Sequence, residues 1–238
     1  MAAVLIDIQA MESLRPSDFF DLADLEHASL FEDIAHPWEV LPRLSAYLKE
    51  KLQPAMQGRM VGSAYIGPNV WIGEGTVIEH GACILGPAWI GPNCVVRTGA
   101  YIRENVIVES ECVLGNSCEF KNCLVLKGAQ IPHFSYVGDS IVGRKAHLGA
   151  GVILSNLKLD QSTVRIRHDN DWIDTGLRKF GAIVGDGCEI GAHAVINPGS
   201  LLGPHSVIYP GVMWRGVLPR GMIAKAKSEC TLLPRHGF

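Results

Sequence analysis

Aromatic side chains are scarce in this chain, at 7% of 238 residues against 47% hydrophobic residues in total. A core of useful size can form, but aliphatic side chains must fill it, and the length bounds the chain to one or two domains. Charge of one sign is lacking as well. The formal balance is -3, so nothing draws the whole molecule toward nucleic acid or an anionic membrane, and any anion site must be local. No apolar run approaches the roughly 18 residues of a membrane span. The opening MAAVLIDIQAMESLRP has no basic flank and no small-residue cleavage pattern, so no signal peptide is expected. Seven cysteines are an odd number, with neither the CxxC pairs of a zinc site nor the density of a secreted miniprotein. A soluble, reducing, cytoplasmic setting is the expectation.

What the chain does have is a period of six. Ile66, Ile72, Ile78, Ile84, Ile90, Val96, Ile102, Val108, Leu114, Phe120 and Leu126 follow one another at that spacing. The fourth residue after each is usually small, as at Thr76, Ala82, Ala88, Cys94, Ala100, Cys112 and Cys118. This is the pattern of hexapeptide repeats, short strands stacked into a parallel β-helix. Each six-residue side turns one large and one small side chain inward, while GPN, GEG, EHG and GPH make corners. One coil buries too little, and stacking supplies a continuous aliphatic column. The cysteines at small inward positions read as small hydrophobes rather than nucleophiles or metal ligands. The series resumes at Val184, Ile190, Ile196, Leu202 and Ile208.

The phase slips by one residue after Leu126, continues as Ile131 and Val137, and slips again to Val142. Residues 155–181 abandon the period and are charged, so they are expected to leave the coil as a loop. Residues 1–55 form a separate N-terminal segment that reads as helical over 11–53. Ser17 is a candidate N-cap there, Pro37 sits in a first turn, and Leu41, Leu44, Leu48 and Leu52 share one face. Covering the open strand edge of the coil, or docking a partner, is the role expected of it. The β-helix domain is expected over 56–212, and 213–238 as a C-terminal extension, helical over 222–230.

Four segments, EFKN, PHFSYVGD, LGAGVILSN and RKFGAIVGD, resemble the acetyltransferase domain of the bifunctional glucosamine-1-phosphate acetyltransferase/N-acetylglucosamine-1-phosphate uridylyltransferase family, including its archaeal sugar-nucleotide relatives. The resemblance covers about residues 63–212. It implies a left-handed β-helix with three hexads per turn, a homotrimer with sites between subunits, and acetyl-CoA as co-substrate. With three hexads per turn, Arg103 and Lys121 stack vertically. Two cations together suit the phosphate of an amino-sugar phosphate, although two solvated surface charges fit the spacing equally. His133 matches the catalytic base, a role that imidazole suits. Tyr136 and Asn156 match sugar-phosphate and sugar contacts, and Lys179 a basic residue of the extruded loop. Coenzyme A is expected along the C-terminal coils, near Ala192 and Pro210, with Arg215 or Arg220 for its phosphates; capping by the tail is the competing reading.

The chain departs from the family at His147, where asparagine is usual and the acceptor sugar binds, and at Ala192, where serine is usual near the acetyl group. The glycine-rich nucleotidyltransferase domain is absent from the sequence, so no uridylyltransferase activity is expected of this chain. Two other functions are open. One is a non-enzymatic sugar-nucleotide-binding or regulatory scaffold for a separate nucleotidyltransferase. The other is a zinc carbonic anhydrase of the left-handed β-helix type, which needs three histidines in fixed proximity on stacked coils. His80, His133, His147, His193 and His205 show no such pattern, and no metal site is expected.

Overall fold

The computed structural model describes residues 13–226. Its body is a left-handed parallel β-helix with three flat faces. The first and second faces are nine-stranded and the third is eight-stranded. Strands follow the order first, second, third face and back again, so Val70–Ile72, Val77–Glu79 and Cys83–Ile84 make one turn. Each turn pairs in parallel with the next: Ile72 lies against Ile90, Ile78 against Val96 and Ile84 against Ile102. These residues are fully buried, as are the small Ala88, Cys94 and Ala100. The sixfold series is therefore the prism interior. Thr76, the one polar side chain among the early small positions, is buried with its hydroxyl donating to the Gly91 carbonyl at 2.6 Å and accepting from the Cys94 amide at 2.9 Å. Both bonds satisfy a group that would otherwise be costly to bury.

The phase slips are not where Leu126 put them. Val108 pairs with Val125, and Val125 with Val142, so Val125 is the inward residue and the shortfall lies between Phe120 and Val125. The second falls between Val137 and Val142. Both are single-residue deletions at the corner from the third to the first face, where Asn122 and Asp139 take up positive φ angles of 47° and 45°. Asn and Asp tolerate that region better than most residues. Loop 155–181 leaves the same corner one turn later.

Leu126 is buried in a second core. The first-face strands Val106–Val108, Cys123–Val125, Ala182–Val184 and Ser200–Leu202 are buried at every residue. Their outward Ile107, Leu124, Ile183 and Leu201 meet Phe19, Trp38, Leu41, Leu44 and Leu48 of the N-terminal segment, together with Val164, Ile166 and Phe180 of the loop. Each such side chain contributes about 1.5–3 kcal/mol on burial. The N-terminal segment therefore lies along a flank and does not cover the open first turn. Met60 and Val61, in that turn, are about half exposed.

Within this segment the α-helices are short, Pro16–Phe19 and Leu44–Lys51, and Ala28–Phe31 and Pro37–Arg43 are 3-10 turns. Pro42 lacks the N–H that an α-helical ladder would need. Ser17 falls inside the first helix. Arg15 is the N-cap, and Asp18 reaches back to accept its amide at 2.7 Å. The segment is pinned at two carboxylates. Asp186 accepts the amides of Asp21 and Arg144, each at 2.7 Å, and Glu109 accepts those of Glu26 at 3.2 Å and Lys127 at 3.0 Å.

Loop 155–181 folds back as an antiparallel hairpin, Arg165–His168 with Asp171–Asp174. At the other end the coil runs on beyond residue 212. Met213–Trp214, Val217–Leu218 and Ile223–Ala224 add to the three sheets, so a strand stands where a helix over 222–230 was expected. Residues 227–230 lie outside the described residues.

Candidate functional site

Successive turns bring Arg103, Lys121, Asp139 and Asn156 to the corner between the third and first faces. Lys121 Nζ and the Asp139 carboxylate pair at 3.2 Å, with the two side chains only 15% and 5% exposed. Asn122 Nδ2 donates to the same carboxylate at 2.9 Å, and Asn156 Nδ2 donates to its other oxygen. Asn156 also donates to the Tyr136 hydroxyl at 3.2 Å. Burial, followed by the nearby Asp139 charge, raises the Tyr136 pKa, so this phenol holds its proton and can donate to an acceptor. Tyr136 lies across the backbone because Gly138 has no side chain: a Cβ there would stand 2.3 Å from the Tyr136 hydroxyl.

Arg103 stacks over Lys121, as the register of Ile102 with Phe120 requires, but the two cations do not stand free. Arg103 Nη1 donates to Glu119 at 2.9 Å and its Nε lies 3.5 Å from Glu104. An arriving phosphate would compete with carboxylates for both side chains.

His133 ends strand Gln130–His133 at the corner between the second and third faces and is exposed. Among the described residues its ring nitrogens have no hydrogen-bond partner, and its ring lies 6.1 Å from that of Phe134, which is 61% exposed at a positive φ of 52°. The imidazole and the Lys121–Asp139 pair thus occupy opposite edges of the third face, about one six-residue side apart, which at strand rise is on the order of 15 Å between backbones.

His147 lies on the second face between Gln130 and Glu189 in the ladder, with its Nδ1 3.0 Å from Glu189. Ala192 and Pro210 join His147 and Glu189 around a cleft of about 280 Å³, close to the corner that carries His133 two turns earlier. Arg215 lines other hollows, beside the hairpin, and Arg220 is exposed with its backbone against Gly203. Lys179 is exposed and bridges to Leu157 through its backbone. Among the described residues no three His, Cys, Asp or Glu side chains gather as a metal-holding group, and no helix is long and apolar enough to cross a membrane.

Sequence reasoning passed over Asp139, Asn122, Glu119 and Glu189. Asp139 could have been found, since it ends the segment YVGD, next to the Gly138 that pairs with Lys121 in the following turn. Glu189 could not be found so simply, because the extruded loop separates it from His147 by 42 residues.

A family model described as the GMPPB C-terminal domain matches residues 84–171. A protein of Methanococcus vannielii named bifunctional protein GlmU is 34% identical over 170 residues, which is 71% of this chain and 41% of that protein. A bifunctional sugar-1-phosphate nucleotidylyltransferase/acetyltransferase of Sulfurisphaera tokodaii is 31% identical over 172 residues, 72% of this chain and 43% of that protein. The chain thus spans about two fifths of the length of these relatives. Among solved structures, an Arabidopsis UDP-N-acetylglucosamine acyltransferase is 13% identical with a TM-score of 0.40, covering 72% of this chain and 70% of that one.

Proposed function

The chain belongs to the hexapeptide-repeat β-helix proteins and is a relative of the bifunctional GlmU proteins, and from that premise we propose that it is an acetyl-CoA-dependent N-acetyltransferase acting on an amino-sugar phosphate. One observation carries the reading. An exposed, unengaged imidazole and a corner of Lys121, Tyr136 and Asn156 stand at the two edges of the same face. The phosphate and the reactive amine of glucosamine-1-phosphate are on neighbouring ring carbons, so the long Arg103 and Lys121 side chains must reach along the face toward His133 for one ring to meet both. Phosphate at the Lys121 and Arg103 edge leaves the amine facing His133.

In this reading the amine nitrogen attacks the thioester carbonyl and His133 takes the proton that nitrogen sheds. The C–S bond then breaks, and coenzyme A leaves as thiolate with the acetyl group on nitrogen. Acetyl-CoA approaches along the His147, Ala192 and Pro210 cleft, and Arg103 and Lys121 exchange part of their carboxylate pairing for phosphate. Tyr136 donates to a phosphate oxygen. Lys179 is the basic side chain that the extruded loop would offer a neighbouring copy in a trimer. The six free cysteines among the described residues accord with a reducing cytoplasmic setting.

Thiol release from acetyl-CoA, measured with glucosamine-1-phosphate and a panel of other amino sugars, tests the proposal. Removing a general base costs about 10²–10⁴-fold, so His133→Ala should lose at least 10²-fold in kcat while the melting temperature holds. No turnover with any acceptor returns the molecule to a binding scaffold for a separate nucleotidyltransferase.

A further inference from the structure

A second cleft lies where the hairpin meets the last turns of the coil, away from His133 and from the His147 cleft, and is about 570 Å³ in volume. That is within the range of small-molecule sites. Its hairpin wall is fixed from beneath. Val164 and Ile166 are 0% and 1% exposed, and Val164 exchanges backbone bonds with Thr175 and Leu177 at 3.2 and 2.8 Å. With Ile166 turned in, strand alternation turns Arg165 and Arg167 out. Register sets Trp172 opposite Arg167 and Asp174 opposite Arg165, so one outward surface carries two guanidiniums, an indole and, at its outer end, a carboxylate that accepts the Gly176 amide at 2.9 Å. The Arg165 guanidinium lies 5.4 Å from the Trp172 ring centroid. Arg215, from the corner after Met213–Trp214, lines the facing wall with Val217.

None of the three arginines has a carboxylate within ion-pairing distance among the described residues, unlike Arg103 and Lys121. Among the residues lining the cleft they stand against a single acid, Asp169, so guanidiniums outnumber carboxylates by two. Three planar, fork-shaped donors converging from two separate elements match the oxygens of phosphate groups. Trp172, 56% exposed, offers a face on which a flat ring can stack.

We propose that this cleft is a nucleotide site, binding a ligand with two phosphates and a heterocyclic base. The phosphates sit on Arg167 and Arg215, and the base on Trp172 beside Arg165. That chemistry has two sources: a nucleoside diphosphate, as in a nucleotide sugar, or the 3′-phosphorylated ADP end of coenzyme A. The second source rests on the acetyl-transfer reading, whose co-substrate it is, and the first does not; binding is measured without turnover, so the cleft and the acetyl transfer can fail separately.

Isothermal titration of the full chain with UDP, ADP, adenosine 3′,5′-bisphosphate, uridine and pyrophosphate tests it. A nucleotide with two phosphates should bind saturably with Kd at or below about 100 μM, and uridine at least tenfold more weakly. Arg167→Ala and Arg215→Ala should each weaken nucleotide binding about tenfold or more, while Arg167→Lys keeps part of it. Trp172→Ala should weaken nucleotides and leave pyrophosphate unchanged. All four substitutions are at exposed positions, and an unchanged melting temperature checks the fold. Tighter binding of UDP assigns the first source, and of the bisphosphate the second. The proposal fails if no nucleotide saturates up to about 1 mM, if the arginine variants bind as the parent does, or if pyrophosphate binds as tightly as UDP and Trp172→Ala changes neither.

Discussion

Lys121 and Asp139, one turn of the coil apart, form an ion pair at 3.2 Å with the carboxylate almost closed to water. The two residues serve unequal purposes. Asp139 also accepts from Asn122 and Asn156, so it organises three donors, whereas Lys121 has one partner. Removing one member of a buried pair costs about 3–5 kcal/mol when the remaining charge is stranded. Asp139→Ala should approach that figure in urea unfolding. Lys121→Met leaves the carboxylate two amide donors and should cost about 1–2 kcal/mol. Equal costs would mean that the amides contribute nothing.

Gly138→Ala would put a methyl group where the Tyr136 hydroxyl now lies. The ring must swing away and release Asn156. An increase in acceptor KM of about tenfold, equivalent to about 1.4 kcal/mol, is expected with kcat changed less. A crystal structure of the variant with Tyr136 in place would contradict this account.

Docking of the N-terminal segment should depend on pH through His27. Burial lowers its pKa to about 4 from 6.5, its Nδ1 lies 3.0 Å from the Tyr47 hydroxyl, and its ring meets Trp89 edge-on at 5.2 Å. A depressed folded-state value means that the stability is fully present above pH 6.5 and is lost as pH falls toward 4, up to about 3 kcal/mol. Glu109 and Asp186 work in the opposite sense. Burial raises both, so their contribution is greatest below the ordinary carboxylate range and fades as pH rises through their folded values. Hydrogen exchange of residues 16–51 between pH 7 and 4.5 separates the effects. Protection should fall toward acid in the parent, and His27→Phe should reverse or flatten the trend.

Leu124 and Val125 are neighbours on one strand that face different cores. Leu124→Ala and Val125→Ala each remove a fully buried side chain, with costs of about 2–5 kcal/mol for the leucine and less for the smaller valine. Limited proteolysis should distinguish them. Leu124→Ala should speed cleavage within residues 16–51 and leave the coil resistant, whereas Val125→Ala should act on the coil.

Five cysteines, 94, 112, 118, 123 and 188, are buried, and Cys83 is half-buried. Burial pushes the Cys188 thiol up to about 11 and Cys123 well up. In a Cys230→Ser background, thiol reagents at pH 8 should modify Cys83 first and the others only on unfolding.

The interior of the prism was legible because stacked identical turns repeat one inward pattern, and every large residue of the series from Ile72 to Phe120 is buried. Leu126 misled because it and Val125 are both apolar and both buried, and periodicity alone cannot say which of two cores a residue enters. The clue lay in VIV, CLVL, AIV and SLL. Such unbroken apolar runs mark strands covered on both sides, so the flank on which the N-terminal segment lies was written in the coil itself. At the candidate site, Arg103 over Lys121 followed from counting residues. Their pairing with Glu119 and Asp139 did not, since the acids come from the same strand or the following turn and side-chain direction decides which cation they meet. The nucleotide cleft was invisible because hairpin and coil meet only after the loop has folded back.

The corner between the third and first faces drops a residue on two consecutive turns, releases a loop on the next and loses two residues between Trp214 and Leu218, while the first-face strands from Val70 to Val108 and from Ala182 to Leu202 keep eighteen-residue spacing. Apart from the shortened first turn, where Met56 pairs with Ile72 sixteen residues on, irregularity is thereby confined to one longitudinal seam. Whole turns could be spliced in beyond Leu202 or before Ile72 without altering the alignment of Lys121, Asp139 and Asn156, so the length of the prism and the shape of its working edge are free to vary independently.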